Sequence, residues 1–409
     1  MVSRRLFLHI GTEKTASTSI QKFVYLNRET LSEMGVTLCD SMGIPNNQKL
    51  VAFFQNHIDD YLMDLGVFDA QAKTEFFRGF LENLRDEIVA GTPEGGSVFI
   101  TSELFHSRLR DQECIDSLRE FLSSIFDEIT VICYLREQAS LATSFYTTRI
   151  KAGAFDTIDS FVNGITVDNH YFNYWIFLSK WSQAFGTSNI VVHIFEKEKL
   201  LNRNIFDDLL AIFDPDIDPR RFRGLQQRAN KSLGPVGAAI GCKINTIYPR
   251  YHKDGTSNLI RWELMRWLSN SRLGVAGSIR NPRTQELYTM FLASNAEVAE
   301  TYLKSDALLF AVPSETTFEK AVFASDSEMS DAMAEFFEYL FRNILQDRVL
   351  TREHGIVLRT AVDRLLQLPA ALSAAEDILK IAQKINPEGT LIRDRLQTLA
   401  EIIAITERM

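Results

Sequence analysis

The stretch His9 to Ser19, HIGTEKTASTS, stands between a short apolar run, Leu6 to Ile10, and an amphipathic run, Ile20 to Leu31. That order predicts a strand, a turn and a helix. A hydroxyl-rich turn at a helix N-terminus offers free backbone N–H groups and the positive end of the helix dipole, which together favour an anion. Lys14 adds a full positive charge, and Thr15, Ser17, Thr18 and Ser19 add hydroxyl donors, so the chemistry offered is recognition of a phosphate or a phosphate-like group. The loop is not a Walker A sequence, because Lys14 comes three residues after Gly11 and not directly behind a second glycine. The plainer alternative is a strand-to-helix connection whose Ser and Thr residues only cap the helix.

A second segment weighs against the plainer reading. In Ile129 to Lys151, ITVICYLREQASLATSFYTTRIK, the apolar run Ile129 to Leu135 predicts a buried parallel strand, and the pattern turns helical after Arg136. Arg136 therefore lies at the carboxyl end of a strand, where open α/β sheets bind ligands. Ser144 follows eight positions later, a little over two helical turns on, so one phosphate reaches both only by lying along that helix. Taken alone, Arg136 reads as a surface ion pair with Glu137 or a neighbour.

Together these residues resemble the sulfotransferase family that uses 3′-phosphoadenosine 5′-phosphosulfate (PAPS). The family's 5′-phosphosulfate loop is similar to Lys14, Thr15, Ala16, Ser17 and Thr18, and its 3′-phosphate motif is similar to Arg136 and Ser144, in the same order. Ala16 stands where the family usually has glycine; an alanine there is expected to take a right-handed helical turn, since it tolerates positive φ poorly. The glycine-rich C-terminal element of the soluble small-molecule enzymes is missing, so the resemblance is closer to the carbohydrate and bacterial members. It implies a three-layer α/β domain of the P-loop type with a central parallel sheet, PAPS as co-substrate, no metal, and a carbohydrate or other hydroxylated acceptor.

Composition sets wider bounds. With 409 residues, 45% of them hydrophobic, the chain can bury a full core and carry an accessory region. A net charge of -9 argues against general nucleic-acid binding, although Arg220, Arg221, Arg223, Arg228 and Lys231 form a basic run that offers a second anion contact. The apolar stretch before Gly11 is too short for a secretory signal or a membrane anchor, which leads to the expectation of a cytoplasmic protein with no membrane span. Cys39, Cys114, Cys133 and Cys242 show no CxxC spacing and read as reduced thiols.

Along the chain, Val36 to Leu38, Ser97 to Thr101 and Ile190 to Phe195 read as further strands, and Phe53 to Leu65, Ala70 to Val89 and Phe172 to Phe185 as helices. Strand and helix alternating in this manner predict a parallel sheet covered on both faces. From Ser257 the pattern is helical; Trp262 and Trp267 read as core or helix contacts or, less plainly, as an aromatic wall for a ligand ring. The Ser-, Thr- and Pro-richer segment 311–326 suggests a boundary, dividing an α/β domain over 1–325 from an all-helical C-terminal extension over 326–409 that completes the core or binds a protein partner or second subunit.

In sulfuryl transfer negative charge grows on the bridging oxygen, so a lysine beside it stabilises the transition state more than the ground state, and Lys14 is the candidate. Loop N–H groups and hydroxyls from Thr15 to Ser19 would hold the 5′-phosphate, with Arg136 and Ser144 on the 3′-phosphate. The acceptor needs a general base, for which Glu103 and His106, just past the strand Ser97 to Thr101, are the candidates, Glu103 being nearer the strand end. His9, inside the first strand, reads as a packed histidine. Asn230, Lys231 and Ser232 resemble a loop that closes over the 3′-phosphate in related enzymes; read without the family, ANKS starts a helix. Two other functions compete: a P-loop phosphotransferase, and a nucleotide-binding scaffold that has lost catalysis.

Overall fold

The computed structural model describes residues 4–224, 232–252, 255–313, and 335, 339, 397 and 399. Among the described residues there are five strands, β1 (Arg5–His9), β2 (Val36–Thr37), β3 (Ser97–Thr101), β4 (Glu128–Leu135) and β5 (Ile190–Ile194), all in one sheet of order β2-β3-β1-β4-β5. Every pairing is parallel, with Leu8 beside Ile100 on one side and Val131 on the other. The inner strands are buried on both faces over most of their length, where continuous Val, Ile, Leu and Phe give the sheet its covering contacts, while the edge strand Ile190–Ile194 alternates buried and half-buried residues. The α/β class and the covered parallel sheet expected from the sequence are what the fold contains.

Side chains alternate between the faces. Phe7, Phe99, Ile132 and Tyr134 point to one layer, where they meet Ile20, Phe23 and Val24 of the helix Ser17–Leu26 and Leu209, Leu210 and Phe213 of the helix Ile205–Phe213. Phe213 lies 5.0 Å from both Phe7 and Phe99, measured between ring centroids. The helix Tyr174–Phe185 packs on Gln112–Ser123 and Thr284–Val298, burying Phe177 and Trp181 beside Phe105. The sheet thus has helices on both sides, the layering that a parallel sheet demands.

Three helices expected to be continuous are interrupted, each by a local polar or backbone device. Ile20 to Leu31 breaks at Asn27, whose buried amide accepts from Arg223 N–H and donates to the Phe23 and Arg223 carbonyls, giving Ser17–Leu26 and Arg28–Glu33. Phe53 to Leu65 is two helices, Gln48–Phe54 and Asp60–Asp64, the second capped by Asp59. Ala70 to Val89 divides between Phe76 and Phe80: the first helix ends at Phe76 with Phe77 as its C-cap, and Gly79, at φ 71°, is the N-cap of the second.

Among the described residues the chain divides into two compact units, one from Met1–Ala142, Val162–Arg228 and Pro282–Ser314, the other built around Thr143–Phe161 and Ala229–Asn281. The first holds the whole sheet. Within the second, Arg261 is buried with its guanidinium donating to Asn245 Oδ1 and the Lys151 carbonyl, while Asn245 donates to the Ile150 and Ala154 carbonyls. Trp262 is exposed with Arg266 over its ring, and Trp267 stacks on Tyr339, so Trp262 is not a core residue. The boundary expected near 325 and the extension over 326–409 lie outside the described residues, apart from Glu335, Tyr339, Gln397 and Leu399. No helix among the described residues is long and apolar enough to cross a membrane.

Candidate functional site

The site begins where the ladder between β1 and β4 outlasts the strand. Ile10 and Thr12 donate their N–H groups to the Ile132 and Tyr134 carbonyls, and Tyr134 N–H donates back to Gly11 at 2.7 Å. The Thr12 hydroxyl also bonds the Tyr134 carbonyl, at 3.0 Å. The loop is therefore tied to β4 two residues before Arg136.

From Thr12 the chain must turn into the helix that opens at Ser17. The hydroxyls of Thr15 and Ser17 both donate to the Thr12 carbonyl, at 2.7 and 3.1 Å, so they brace the turn from inside. Their protons are not turned outward as the sequence suggested, which leaves Thr18 and Ser19 as the hydroxyl donors of the first helical turn. Ala16 caps the helix without a side-chain bond, in the left-handed region at φ 63°, and Lys14 is left-handed too, at φ 66°. The right-handed turn expected at Ala16 does not occur, because the chain is pinned at Thr12 and at Ala16 O and must reverse within a few residues; each left-handed L-residue costs roughly 1–2 kcal/mol. The helix-capping alternative also fails, since no hydroxyl caps this helix. Among the described residues the N–H groups of Lys14, Thr15 and Ala16 meet no acceptor.

Arg136 completes this arrangement. Its Nη1 donates to the Lys14 carbonyl at 3.1 Å, and its own carbonyl accepts from the Tyr174 hydroxyl. Glu137 does not pair with it: that carboxylate accepts from the N–H groups of Ala139 and Ser140 at 2.8 Å, capping the helix Gln138–Ala152. Among the described residues neither Lys14 nor Arg136 has a carboxylate within ion-pair distance. Burial lowers the pKa of both. At Lys14 the carboxylates of Glu13 and Glu103 push it back up and Arg136 pushes it further down.

Glu103 enters from the other neighbour of β1. Ser102 N–H donates to the His9 carbonyl, placing the end of β3 against the loop. Gly11, at φ 105°, allows the approach: a Cβ there would lie 3.2 Å from Glu103 Cα. Gln21 Nε2 donates to Glu103 Oε2 at 2.5 Å. Burial raises the Glu103 pKa from its ordinary value, opposed by its own N–H and by Gln21, with Glu13 adding to the rise and Lys14 subtracting from it.

His106 is fully buried. Its Nδ1 accepts from Glu13 N–H at 3.4 Å and its Nε2 donates to the Tyr171 carbonyl at 3.1 Å, while burial holds the ring neutral. Both ring nitrogens are thus engaged. His9 is packed as expected, bonded to Thr101 Oγ1 at 2.8 Å with its pKa lowered to about 3 by burial.

The sequence reading missed Glu13, Gln21 and Tyr171. Glu13 is buried, and its Oε2 accepts from Tyr171 OH at 3.0 Å across 158 residues of sequence. The available signal was a carboxylate set inside an otherwise hydroxyl-rich loop.

Ser144 lies on the helix Gln138–Ala152, in the second unit, its carbonyl accepting from the hydroxyls of Thr147 and Thr148. Ser232, in the same unit, is exposed; the helix that follows starts at Pro235 and is capped by Gly234, so ANKS does not start it. Asn230, Lys231 and Arg228 lie outside the described residues. In the basic run, Arg220 pairs with Asp218 and Arg221 with Glu33, so these two guanidinium groups already have carboxylate partners.

No family model matches the sequence. An uncharacterized protein of Archaeoglobus fulgidus is 27% identical over 150 residues, and the chain spans 37% of that relative's length with 37% of its own. The crystal structure of a sulfotransferase from Alicyclobacillus acidocaldarius is similar at a TM-score of 0.31 and 13% identity, over 72% of this chain and 93% of that one. Likeness of that degree bears on neither chemistry nor substrate.

Proposed function

We propose that the protein transfers a sulfuryl group from PAPS to a hydroxyl or amine of an acceptor of carbohydrate type. The observation that carries this reading is the placement of Lys14 and Arg136 at the carboxyl ends of adjacent strands, the Arg136 guanidinium bonded to the Lys14 backbone carbonyl and neither cation with a carboxylate at ion-pair distance among the described residues, beside a turn with free N–H groups. Charge left uncompensated in a half-buried place lowers stability, and an anion removes the deficit.

The donor set fits such a ligand. The N–H groups from Lys14 to Thr18 and the hydroxyls of Thr18 and Ser19 suit the 5′-phosphate, and Arg136 suits a phosphate dianion through its planar fork. Ser144, Lys231 and Ser232 are assigned to the 3′-phosphate by resemblance alone. Lys14 stands by the oxygen on which charge grows as the sulfur–oxygen bond to the leaving phosphate breaks, a contact stronger in the transition state than before it. Glu103 takes the acceptor proton. Its raised pKa makes it a stronger base than an ordinary carboxylate, and it sits across the loop from Arg136, whereas His106 has no ring nitrogen left for the task.

A phosphotransferase is the rival reading, since a strand, loop and helix of this form also serve ATP. Thermal denaturation separates the two. Saturating 3′-phosphoadenosine 5′-phosphate (PAP) is expected to raise Tm clearly, a hundredfold excess over Kd being worth about 2.7 kcal/mol, with ATP and magnesium doing much less. Equal stabilisation by ATP favours the phosphotransferase.

A further inference from the structure

We propose that Gln21 is a positioning residue for the reaction, aiming the Glu103 carboxylate at the acceptor and stabilising its charged form through one neutral donor. The proposal rests on the reading of Glu103 as the base.

Gln21 lies in the helix that leads away from the anion loop, on a stretch that also buries Ile20, Phe23 and Val24. It is 2% exposed. An amide at such a depth costs free energy unless its donors and acceptors are met, so a glutamine in this row needs a polar partner. That partner is Glu103, across 82 residues of sequence, and only the nitrogen end of the amide can face a carboxylate oxygen. The bond ties the helix after the Lys14 loop to the residue just past β3, so the two halves of the site are held by one contact.

The choice of residue type matters. The groups facing Glu103 are Glu13 and Lys14 from the β1 loop, Gln21 from the helix, and the residue's own N–H. Burial and Glu13 both favour the protonated acid, which is useless as a base. A lysine or arginine in place of Gln21 would correct this, yet it would add a third cation beside Lys14 and weaken the carboxylate as a proton acceptor. A neutral amide favours the ionised form with no added cation and with a smaller loss of basicity than a full positive charge would cause. A carboxylate has about four lone-pair sites, so the bond from Gln21 and one from the residue's own N–H leave acceptor capacity for a substrate hydroxyl.

The test is a titration with a readout independent of turnover. Glutamate 13C-carboxyl resonances are followed against pH in the wild type, Gln21→Met and Gln21→Glu, the Glu103 signal being identified by its loss in Glu103→Gln. Met is nearly isosteric and cannot donate; Glu is isosteric and adds a like charge. The Glu103 midpoint is expected to rise by about one unit in Gln21→Met, the size of one hydrogen bond to a charged group, and further in Gln21→Glu. The acidic limb of kcat/KM for sulfuryl transfer from PAPS is expected to move by the same amount, with the affinity for PAP unchanged. Midpoints that coincide with the wild type in both variants overturn the role of Gln21 alone. A wild-type protein that binds no PAP overturns the proposed function, and the base role of Glu103 with it.

Discussion

Two polar clusters flank β4, and they are balanced differently. In one, Asp208 is buried and fully matched: its Oδ2 accepts from Tyr134 OH at 2.8 Å and from His193 Nδ1 at 2.6 Å, and its Oδ1 from Leu201 N–H at 2.9 Å. In the other, the Arg136 guanidinium bonds the Lys14 backbone carbonyl, neither cation has a carboxylate within ion-pair distance among the described residues, and Glu103 rests on a neutral amide. Burial works against charge in both. At Asp208 it is outweighed by the bonds from His193, Leu201 and Tyr134, and the carboxyl falls below its ordinary range; at Glu103 burial prevails and the carboxyl rises. A polar cluster whose hydrogen bonds are met within the chain holds an element in place, here the helix Ile205–Phe213 against the sheet. One whose bonds are not so met is prepared for something outside the chain.

The largest effect that would sharpen this contrast is on turnover. Glu103→Gln is expected to lower kcat by about 10² to 10⁴, the usual contribution of a general base, while the affinity for PAP survives. Lys14→Ala is expected to act on kcat more than on affinity, since its partner charge develops in the transition state. Steady-state kinetics beside calorimetric PAP titration separate the two quantities. An unchanged kcat in Glu103→Gln removes the residue from the chemistry.

Next in size is the loss of an anion contact. Arg136→Ala is expected to weaken PAP binding by about 1.5–3 kcal/mol, the value of hydrogen bonds to a charged group. Unaltered affinity would mean that the unpaired guanidinium serves only to hold the Lys14 carbonyl.

The balanced cluster should respond in the opposite sense. Asp208→Asn is expected to cost about 1–3 kcal/mol of stability at neutral pH with PAP affinity intact. Because the native pKa of Asp208 is depressed, its contribution is full above the unfolded value and is lost as pH falls through the native one, so the gap between variant and wild type closes on acidification. Chemical denaturation at several pH values reads this directly. Loss of PAP binding in Asp208→Asn would break the division between the clusters.

The smallest effect has the reverse sign. With its native pKa raised, Glu103 stays protonated longer when folded than when unfolded, so the wild type loses stability as pH rises from about 4.3, the unfolded value, through the native pKa. Glu103→Gln is therefore expected to melt slightly above the wild type at pH 7 and level with it near pH 4. A variant that melts lower at pH 7 would place Glu103 with Asp208, among the groups that stabilise the fold.

The sheet was legible because its strands are continuous apolar runs bounded by turns; Ser97 to Thr101 matches β3 to the residue. Helix breaks were not, since the amide of Asn27 stops a helix only once Arg223 is near it, and the sequence holds no sign of that meeting. Lys14, Glu103 and Arg136 could be picked out because each stands just beyond a strand's carboxyl end. Gln21 and Glu13 could not, because what gives them a role is a partner 82 or 158 residues away. His106 could not be separated from Glu103 by sequence, for only burial and the engagement of both ring nitrogens distinguish them.

The central position of β1 also governs when the site comes into being. His9 meets Thr101 across 92 residues and Thr12 meets Tyr134 across 122, so the anion loop has neither wall until β1 is paired on both sides. Contacts so distant along the chain carry a large loop-closure entropy and form late. During refolding, recovery of ligand binding should therefore trail recovery of helical signal, and binding competence becomes a clock for completion of the sheet.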